Sequence, residues 1–526
     1  MFKFKASYVA LAAVLTSSVV YADPTSYTHS SGATVIDIEK PNAAGVSHNL
    51  YRDFNVGANG TILNNSGDDV SHSTFGNIAR NNNLTAGSAS VILNEVTSKN
   101  ASSLKGFIEV NGQKADVVIA NPNGITCSGC SFVNTNKAIL TTGKVNMTDD
   151  GAIGSYTVTG GTLTIGENGM NAANGYAVLL ADAIKINGKV QANNALVSAG
   201  NFTMDNSSGS VTSAGKKATL IQMTVNPQYS IAGAYYLMLS SGDYIVNTGS
   251  LSGGQLIATA NGNITNGDSG TMTGTSGLSL TSGGKIRNEE KASLLSNNQI
   301  AATAIGDFLN EGKISAKHTS LTFVGDSFKN TGNINSTGQT TIQSLTQDGS
   351  ANTGEIYNLG NITGENINLQ TNGTLAQSSS GRIEATNAIT AHSYWLNQNG
   401  YMNAADITTD HGVVNNYGNI TAKNISITTY SDITNEGQIS STGDLTLNTK
   451  NKGAIYNYST LSAGGNMTLT ATKVVNGGKS CGILGLAKCG VGTLTADKLV
   501  LNSSQKYVSD MGGKQYFKST EVNTVK

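Results

Sequence analysis

Residues 416–439 read Asn416-Tyr-Gly-Asn-Ile-Thr-Ala-Lys-Asn-Ile-Ser-Ile-Thr-Thr-Tyr-Ser-Asp-Ile-Thr-Asn-Glu-Gly-Gln-Ile439. One phrase, an Asn with a Gly or Ser close behind and then an aliphatic residue, occurs at Asn416 and again 19 residues later at Asn435. Between the copies lies the alternating run Asn424-Ile-Ser-Ile427, and alternation of period two marks a half-buried strand. A unit of about twenty residues with two or three short strands is one coil of a β-solenoid.

The phrase recurs outward in both directions. Clear copies begin at Asn247, Asn310, Asn330, Asn358, Asn416, Asn435 and Asn457, and weaker ones at Asn266, Asn288, Gln377, Asn397 and Asn476. The twelve anchors are 19 to 28 residues apart, and most intervals are 19 to 22. Coils stacked at about 4.8 Å would make this region roughly 50 Å long and the mature chain roughly 100 Å. Gly supplies positive φ at the corners, and stacked Asn side chains can form a hydrogen-bonded ladder along the axis. A leucine-rich repeat shares the period but needs a dense leucine consensus, which this chain lacks. The expected fold is all-β: a right-handed parallel β-helix, its hand taken from the usual crossover rule, with a distinct N-terminal cap.

Composition agrees. Of 526 residues, 62 are Gly and 60 Asn, while only 12% are charged against about 25% in an average domain. Low charge and four prolines argue against disorder, and abundant Gly, Asn, Ser and Thr argue against helices. With 32 basic and 33 acidic residues, nothing favours nucleic acid or an anionic membrane as partner.

Residues 1–22 read as a secretory signal peptide. Lys3 and Lys5 precede an apolar stretch from Tyr8 to Val20, and Val20-Tyr-Ala22 fits the small-x-small cleavage rule. The stretch is shorter than the ~20 residues that span a bilayer. Export makes two local disulfides, Cys127–Cys130 and Cys481–Cys489, the expected state of the four cysteines. The two pairs are too far apart for one zinc site, and no histidine completes either.

Residues 23–200 carry more specific phrases: Phe54-Asn-Val-Gly57, Ile62-Leu-Asn-Asn-Ser66, Asn81-Asn-Asn-Leu84, Val91-Ile-Leu-Asn-Glu-Val96, Gly106-Phe-Ile-Glu-Val-Asn-Gly112 and Ala115-Asp-Val-Val-Ile-Ala-Asn-Pro-Asn-Gly-Ile-Thr-Cys127. Over about residues 30–145 these resemble the secretion domain of two-partner secretion exoproteins (TpsA type). That family includes filamentous haemagglutinins, haemolysins and contact-dependent growth-inhibition proteins. Its Asn-Pro-Asn-Gly-Ile signature stands at Asn121, Pro122, Asn123, Gly124 and Ile125. Its second motif, usually Asn-Pro-Asn-Leu, aligns with Asn81, Asn82, Asn83 and Leu84, where Asn82 departs from the pattern by replacing a proline that presets φ. The Cys127-Ser-Gly-Cys130 element resembles the haemolysin and growth-inhibition branches. The resemblance implies a partner: an outer-membrane β-barrel transporter of TpsB type with periplasmic POTRA recognition domains. On the residues alone, Asn121–Gly124 is a tight turn that ends the apolar strand Val117–Ala120, and an exposed extended segment near it could be recognised by strand addition.

Catalytic patterns are weak. Gly267-Asp-Ser-Gly270 and Thr390-Ala-His392 stand in the wrong order for a serine protease, and both lie inside the repeat. Gly67-Asp-Asp69 and Asp410-His-Gly412 are phrases of the kind polysaccharide-cleaving β-helices use, but they stand about 340 residues apart. Six scattered histidines have no metal-ligand spacing. The chain is therefore expected to have no catalytic, metal or cofactor site. The expected division is signal peptide 1–22, secretion domain 23–200, β-helix repeats 201–480, and a disulfide loop and polar tail 481–526. The leading functional expectation is a secreted, monomeric adhesin or haemagglutinin of a Gram-negative bacterium, binding an unidentified surface receptor or glycan. The alternatives are a short or truncated haemolysin or growth-inhibition toxin lacking its effector, and more distantly a polysaccharide-cleaving enzyme.

Overall fold

In Phe308–Asn310, Lys313–Ala316 and His318–Phe323, alternate side chains point inward, and three short strands separated by tight corners, two of them with Gly (Gly312 and Gly325), close one coil. The next coil, Ser327–Asn330, Asn333–Ser336 and Gln339–Ser344, stacks on it in register. Phe308 lies on Phe328, Ile314 on Ile334 and Leu321 on Ile342, all six fully buried. Burying such a side chain stabilises by about 1.5–3 kcal/mol. A one-residue slip would turn the whole row outward, so the alternation fixes the register. The corners must also be slim: a Cβ on Gly332 would lie 2.1 Å from the carbonyl oxygen of Gly312 in the preceding coil.

Repeated along the chain, this unit gives a parallel β-solenoid of about 19 turns, roughly 90 Å long at the usual strand spacing. The computed structural model describes residues 23–72, 76–213, 221–223, 230–481, 487–505 and 512–524, and among these no helix occurs. Residues 1–22, read as the signal peptide, lie outside the described residues. One continuous core runs from Ile36 to Leu501.

The twelve sequence anchors acquire a common role with one correction. Eleven of them are inward-facing and buried, each in the last position of a strand such as Ile286–Asn288 or Ser327–Asn330. The exception is Asn397, which faces outward. Its neighbour Gln398 takes the inward place, paired in register with Gln377 before it and Asn416 after it. The physical reason lies in the corner: in most coils the anchor stands two residues before the corner Gly, as in Asn416-Tyr-Gly418, and here that Gly is Gly400.

The N-terminal part is built differently. Strands Ser26–Thr28 and Thr34–Asp37 pair antiparallel at the first end, and Val70–His72 pairs with Gly76–Ile78 as a hairpin. Outside the solenoid, Lys144–Met147, Ile153–Val158, Phe202–Asp205 and Val211–Ser213 form a four-stranded antiparallel sheet. It covers the outer face of the neighbouring coils, and a second apolar cluster (Val118, Ile139, Tyr156, Val178, Leu180, Phe202 and others) fills the gap. That explains the continuous apolar run in Ala115–Ala120: Val117 and Ile119 face the solenoid core while Val118 and Ala120 face the added sheet.

At the other end, Thr493–Ser503 and Lys514–Thr524 continue the parallel stack. Where the sequence reads a polar tail, Lys514–Thr524 is thus a strand, nearly all of it exposed. Gly478–Cys481 and Ala487–Val491 form an antiparallel pair, and the side chains of Cys481 and Cys489 lie outside those described.

Candidate functional site

The signature Asn121-Pro-Asn-Gly-Ile125 forms the corner between the strands Ala115–Ala120 and Ile125–Cys127. Asn121 is fully buried and acts as the bracket of the turn. Its side-chain amide donates to the carbonyl of Asn100 and to Ser102 Oγ, both at 2.9 Å, in the preceding coil. Its Oδ1 accepts from the backbone N–H of Asn123 at 2.9 Å, an Asx turn, while its main-chain carbonyl accepts from Gly124 N–H. Its own N–H donates to Thr141 in the following coil. Gly124 holds φ at +114°, and a Cβ there would press to 3.0 Å against the Thr162 carbonyl. Ile125 is buried and restarts the core pattern. Only Pro122 and Asn123 are exposed, so the motif presents a two-residue tip on a rigid base.

The surroundings of that tip come from another of the quoted phrases. Phe54-Asn-Val-Gly57 runs beside Ser102–Leu104: Val56 bridges to Leu104, and Asn55 Oδ1 accepts from Ser103 N–H at 2.8 Å. Strand Ser102–Leu104 in turn pairs with Ile125–Cys127. Three sequence-distant segments therefore form one stacked face. Next to it, Asp53 accepts from Ser98 Oγ and Asn100 Nδ2 at 2.8 Å each, and these bonds hold its carboxyl below the usual range. The Ser98 carbonyl accepts from Asn123 Nδ2 at 2.8 Å. Sequence reasoning does not single out Asp53, Ser98 or Asn100, although Asp53 directly precedes the Phe54 phrase.

The second motif makes the same turn elsewhere. Buried Asn81 donates to the carbonyls of Ile38 and Asn64, and its Oδ1 accepts from Asn83 N–H at 2.9 Å. Leu84 N–H returns to the Asn81 carbonyl, and the Leu84 side chain enters the core. Asn82, in the proline position, is exposed, and the turn closes without the proline. This corner follows the hairpin strand Gly76–Ile78 and adjoins the end of Thr61–Asn65, a strand of the column that contains Phe107–Gly112, through the Asn81 N–H, which donates to the Ser66 carbonyl, whereas Asn121 follows a strand of the Val91–Val96 column. The two motifs thus occupy different corners and do not form one site.

Cys127 and Cys130 are disulfide-bonded and buried, stapling the next corner of the same coil. Among the described residues, no group of three or more His, Cys, Asp or Glu could hold a metal ion. Asp268 sits in a turn with φ +48°, its N–H donating to Glu289, while exposed His392 lies several coils further on, so the protease-like phrases are not brought together.

Comparison with known proteins covers both parts of the molecule. Residues 16–241 match the family model of the TPS secretion domain, and residues 197–290 and 417–505 match the haemagglutinin repeat. The chain is similar to a protein named tRNA nuclease CdiA from Yersinia mollaretii, 44% identical over 177 residues, which is 33% of this chain and 6% of that protein. It is also similar to a hemolysin from Proteus mirabilis, 42% identical over 163 residues, or 31% of this chain and 10% of the relative. The matched stretch thus spans a tenth or less of these relatives, and the nuclease part named in the first is not matched. The crystal structure of a filamentous hemagglutinin secretion domain aligns with 56% of this chain and 98% of its own, at 27% identity and a TM-score of 0.44.

Proposed function

We propose, from the premise that this chain carries the TPS secretion domain and haemagglutinin repeats of secreted two-partner exoproteins, that it displays a long β-helix outside the cell for adhesion. A TPS domain implies a dedicated transporter in the outer membrane. In our reading, that transporter's periplasmic POTRA domains engage the Pro122–Asn123 tip and the adjoining face of Asp53–Val56 and Ser98–Ser103. The observation that carries this is the division of labour within one motif. Asn121 is buried and makes the turn, whereas Pro122 and Asn123 are exposed and hold little of the fold.

The chain is read as a non-enzymatic, monomeric display protein, with a host or bacterial surface receptor or glycan as its second partner. Its outward rows of Asn, Thr and Ser supply a long polar surface suited to such binding. The final location, attached or released, follows from the same experiment that tests export. The chain is expressed with and without the transporter and followed in periplasm, cell surface and medium. Export of wild type only with the transporter, together with retention of a folded Pro122→Ala/Asn123→Ala variant, supports recognition at the tip. Equal export of both refutes it. A strain lacking the protein that adheres normally would overturn the adhesin reading.

The hemolysin relative and the disulfide of the Cys127-Ser-Gly-Cys130 element favour one second reading, a toxin-related protein without its effector. Lysis of red cells by the co-expressed protein would select that reading.

A further inference from the structure

The buried anchors form two hydrogen-bonded runs. In the first, the amide of Asn247 donates to Asn266, Asn266 to Asn288, Asn288 to Asn310, Asn310 to Asn330 and Asn330 to Asn358, at 2.8–2.9 Å. In the second, Asn416 donates to Asn435, Asn435 to Asn457 and Asn457 to Asn476, at 2.7–2.8 Å. Between the runs stand Gln377 and Gln398, one methylene longer. Gln377 Nε2 donates to the Tyr401 carbonyl, but its Oε1 has no partner; Gln398 has none for either amide atom, and Asn416 Oδ1 is left without a donor.

The opposite corner fails in the same two coils. The register places Ser393, His411 and Thr429 in one buried column, and the Thr429 hydroxyl donates to the Ser431 carbonyl, across its own corner. His411 cannot do the same. Its Nδ1 is 2.7 Å from Ser393 Oγ, which also lies 2.9 Å from the Trp395 carbonyl. If Nδ1 carries the proton, Nε2 is a buried acceptor with no donor. If Nε2 carries it, that N–H is buried with no acceptor, and Ser393 cannot serve both neighbours. The hydroxyl of Thr409 and Oδ1 of Asp410, on the same strand, are also buried without partners. Among the described residues eleven buried side-chain atoms lack a partner, and seven belong to residues 377–416. Such groups retain their full desolvation cost.

We propose that coils Gln377–Asn416 are a built-in joint of the β-helix: the stack parts there first, leaving the runs before Asn358 and after Asn416 folded as separate blocks. The main chain is not the weak element, because Arg382–Gln398 and Tyr401–Asn416 are the longest strands and pair along most of their length. The joint therefore opens as a unit between coils rather than fraying at a corner. Acid favours opening, because His411 is enclosed. The ionisable groups around it are His392 on Arg382–Gln398, Asp410 on its own strand, and Tyr394, Tyr430 and Asp432 at the flanking corners; no ionisable side chain of Asn419–Thr429 faces it. This inference stands apart from the route of export.

Hydrogen exchange followed by mass spectrometry on the full chain, at pH 7.5 and pH 5 with intrinsic rates divided out, tests it. Peptides from 382–416 are expected to exchange at least about tenfold faster than peptides from 313–345 and 433–471, with the gap widening at pH 5. Gln377→Asn/Gln398→Asn should narrow the gap at both pH values, and His411→Thr should remove only the widening. Protection in wild-type 382–416 equal to that of the flanking coils at both pH values would overturn the joint. A widening unchanged in His411→Thr would overturn the role of the histidine. The wild-type comparison decides the first point even where a variant does not fold.

Discussion

The N-terminal 23–213 and the repeats from 230 onward use the same residue, a buried asparagine, in two opposite ways. In the repeats an Asn inside a run has a like neighbour above and below, and its value comes from the row. In the N-terminal part Asn81 and Asn121 each bracket a single corner by bonds to backbone, and no copy of either stands in the adjacent coil. A periodic part tolerates a local defect because each coil contacts only its neighbours. The N-terminal part has no such redundancy: it adds an outer sheet, a second apolar cluster and a disulfide. Repetition builds length, while individual contacts build a surface that can be told apart from the rest.

Breaking the row should have the largest effect. Asn310→Ala leaves both the Oδ1 of Asn330 and one amide N–H of Asn288 without a partner and opens a small cavity, costing about 3–4 kcal/mol. Because the cost is local, exchange protection in 286–334 should fall while that of 91–140 holds. Asn397→Ala, one place off the row, should change stability by less than about 0.5 kcal/mol. Equal effects of the two would break the contrast.

Asn121→Ala should cost about 2–3 kcal/mol in the N-terminal part, from the loss of four side-chain bonds at a buried site. Urea-dependent hydrogen exchange of peptides from 91–140, compared with those from 286–334, would register it. Asn123→Ala, at the exposed tip, should cost under about 1 kcal/mol.

Acid gives a third separation. Burial, and then His392, lower the His411 pKa to about 3 from an ordinary 6.5. Between those values the unfolded chain binds the extra proton, so stability is full above about pH 6.5 and falls as pH drops toward 3. At pH 5 the loss is about 2 kcal/mol at 1.36 kcal/mol per unit. It should be confined to the repeats and be absent in His411→Thr. A fourth test is the disulfide. Cys127→Ser/Cys130→Ser closes no loop in the unfolded state, and the chain-entropy relation for so short a loop gives about 2 kcal/mol. That loss should appear only in the N-terminal part.

What can be read from the sequence follows the same division. The repeats are legible because alternation and the Asn spacing carry the register; the one error, Asn397 for Gln398, comes from following Asn instead of the corner glycine at Gly400. The turn at Asn121–Gly124 is legible from Pro and Asn-Gly chemistry. The outer sheet is not. Lys144–Met147 and Ile153–Val158 form a hairpin, and nothing local in the sequence says that its apolar side meets Val118 and Val178. The strand Lys514–Thr524 escapes a sequence reading because both its faces are exposed, which removes the hydrophobic alternation. Within the candidate site, Asp53, Ser98 and Asn100 meet Asn123 only through stacking of distant segments.

The asparagine row also has a direction. Amide oxygen and nitrogen are easily confused, but each nitrogen here also faces a backbone carbonyl, as Asn266 faces Ser293 and Asn435 faces Thr460, and a carbonyl can only accept. The donors therefore all point toward the C-terminal end. Every side-chain dipole in a run is aligned, and the leading coil always offers a line of unclaimed N–H groups to the coil that follows. A coil added in chain order meets a donor already in place, and one added in the reverse order would meet an acceptor, so the two ends of a run present opposite hydrogen-bonding chemistry.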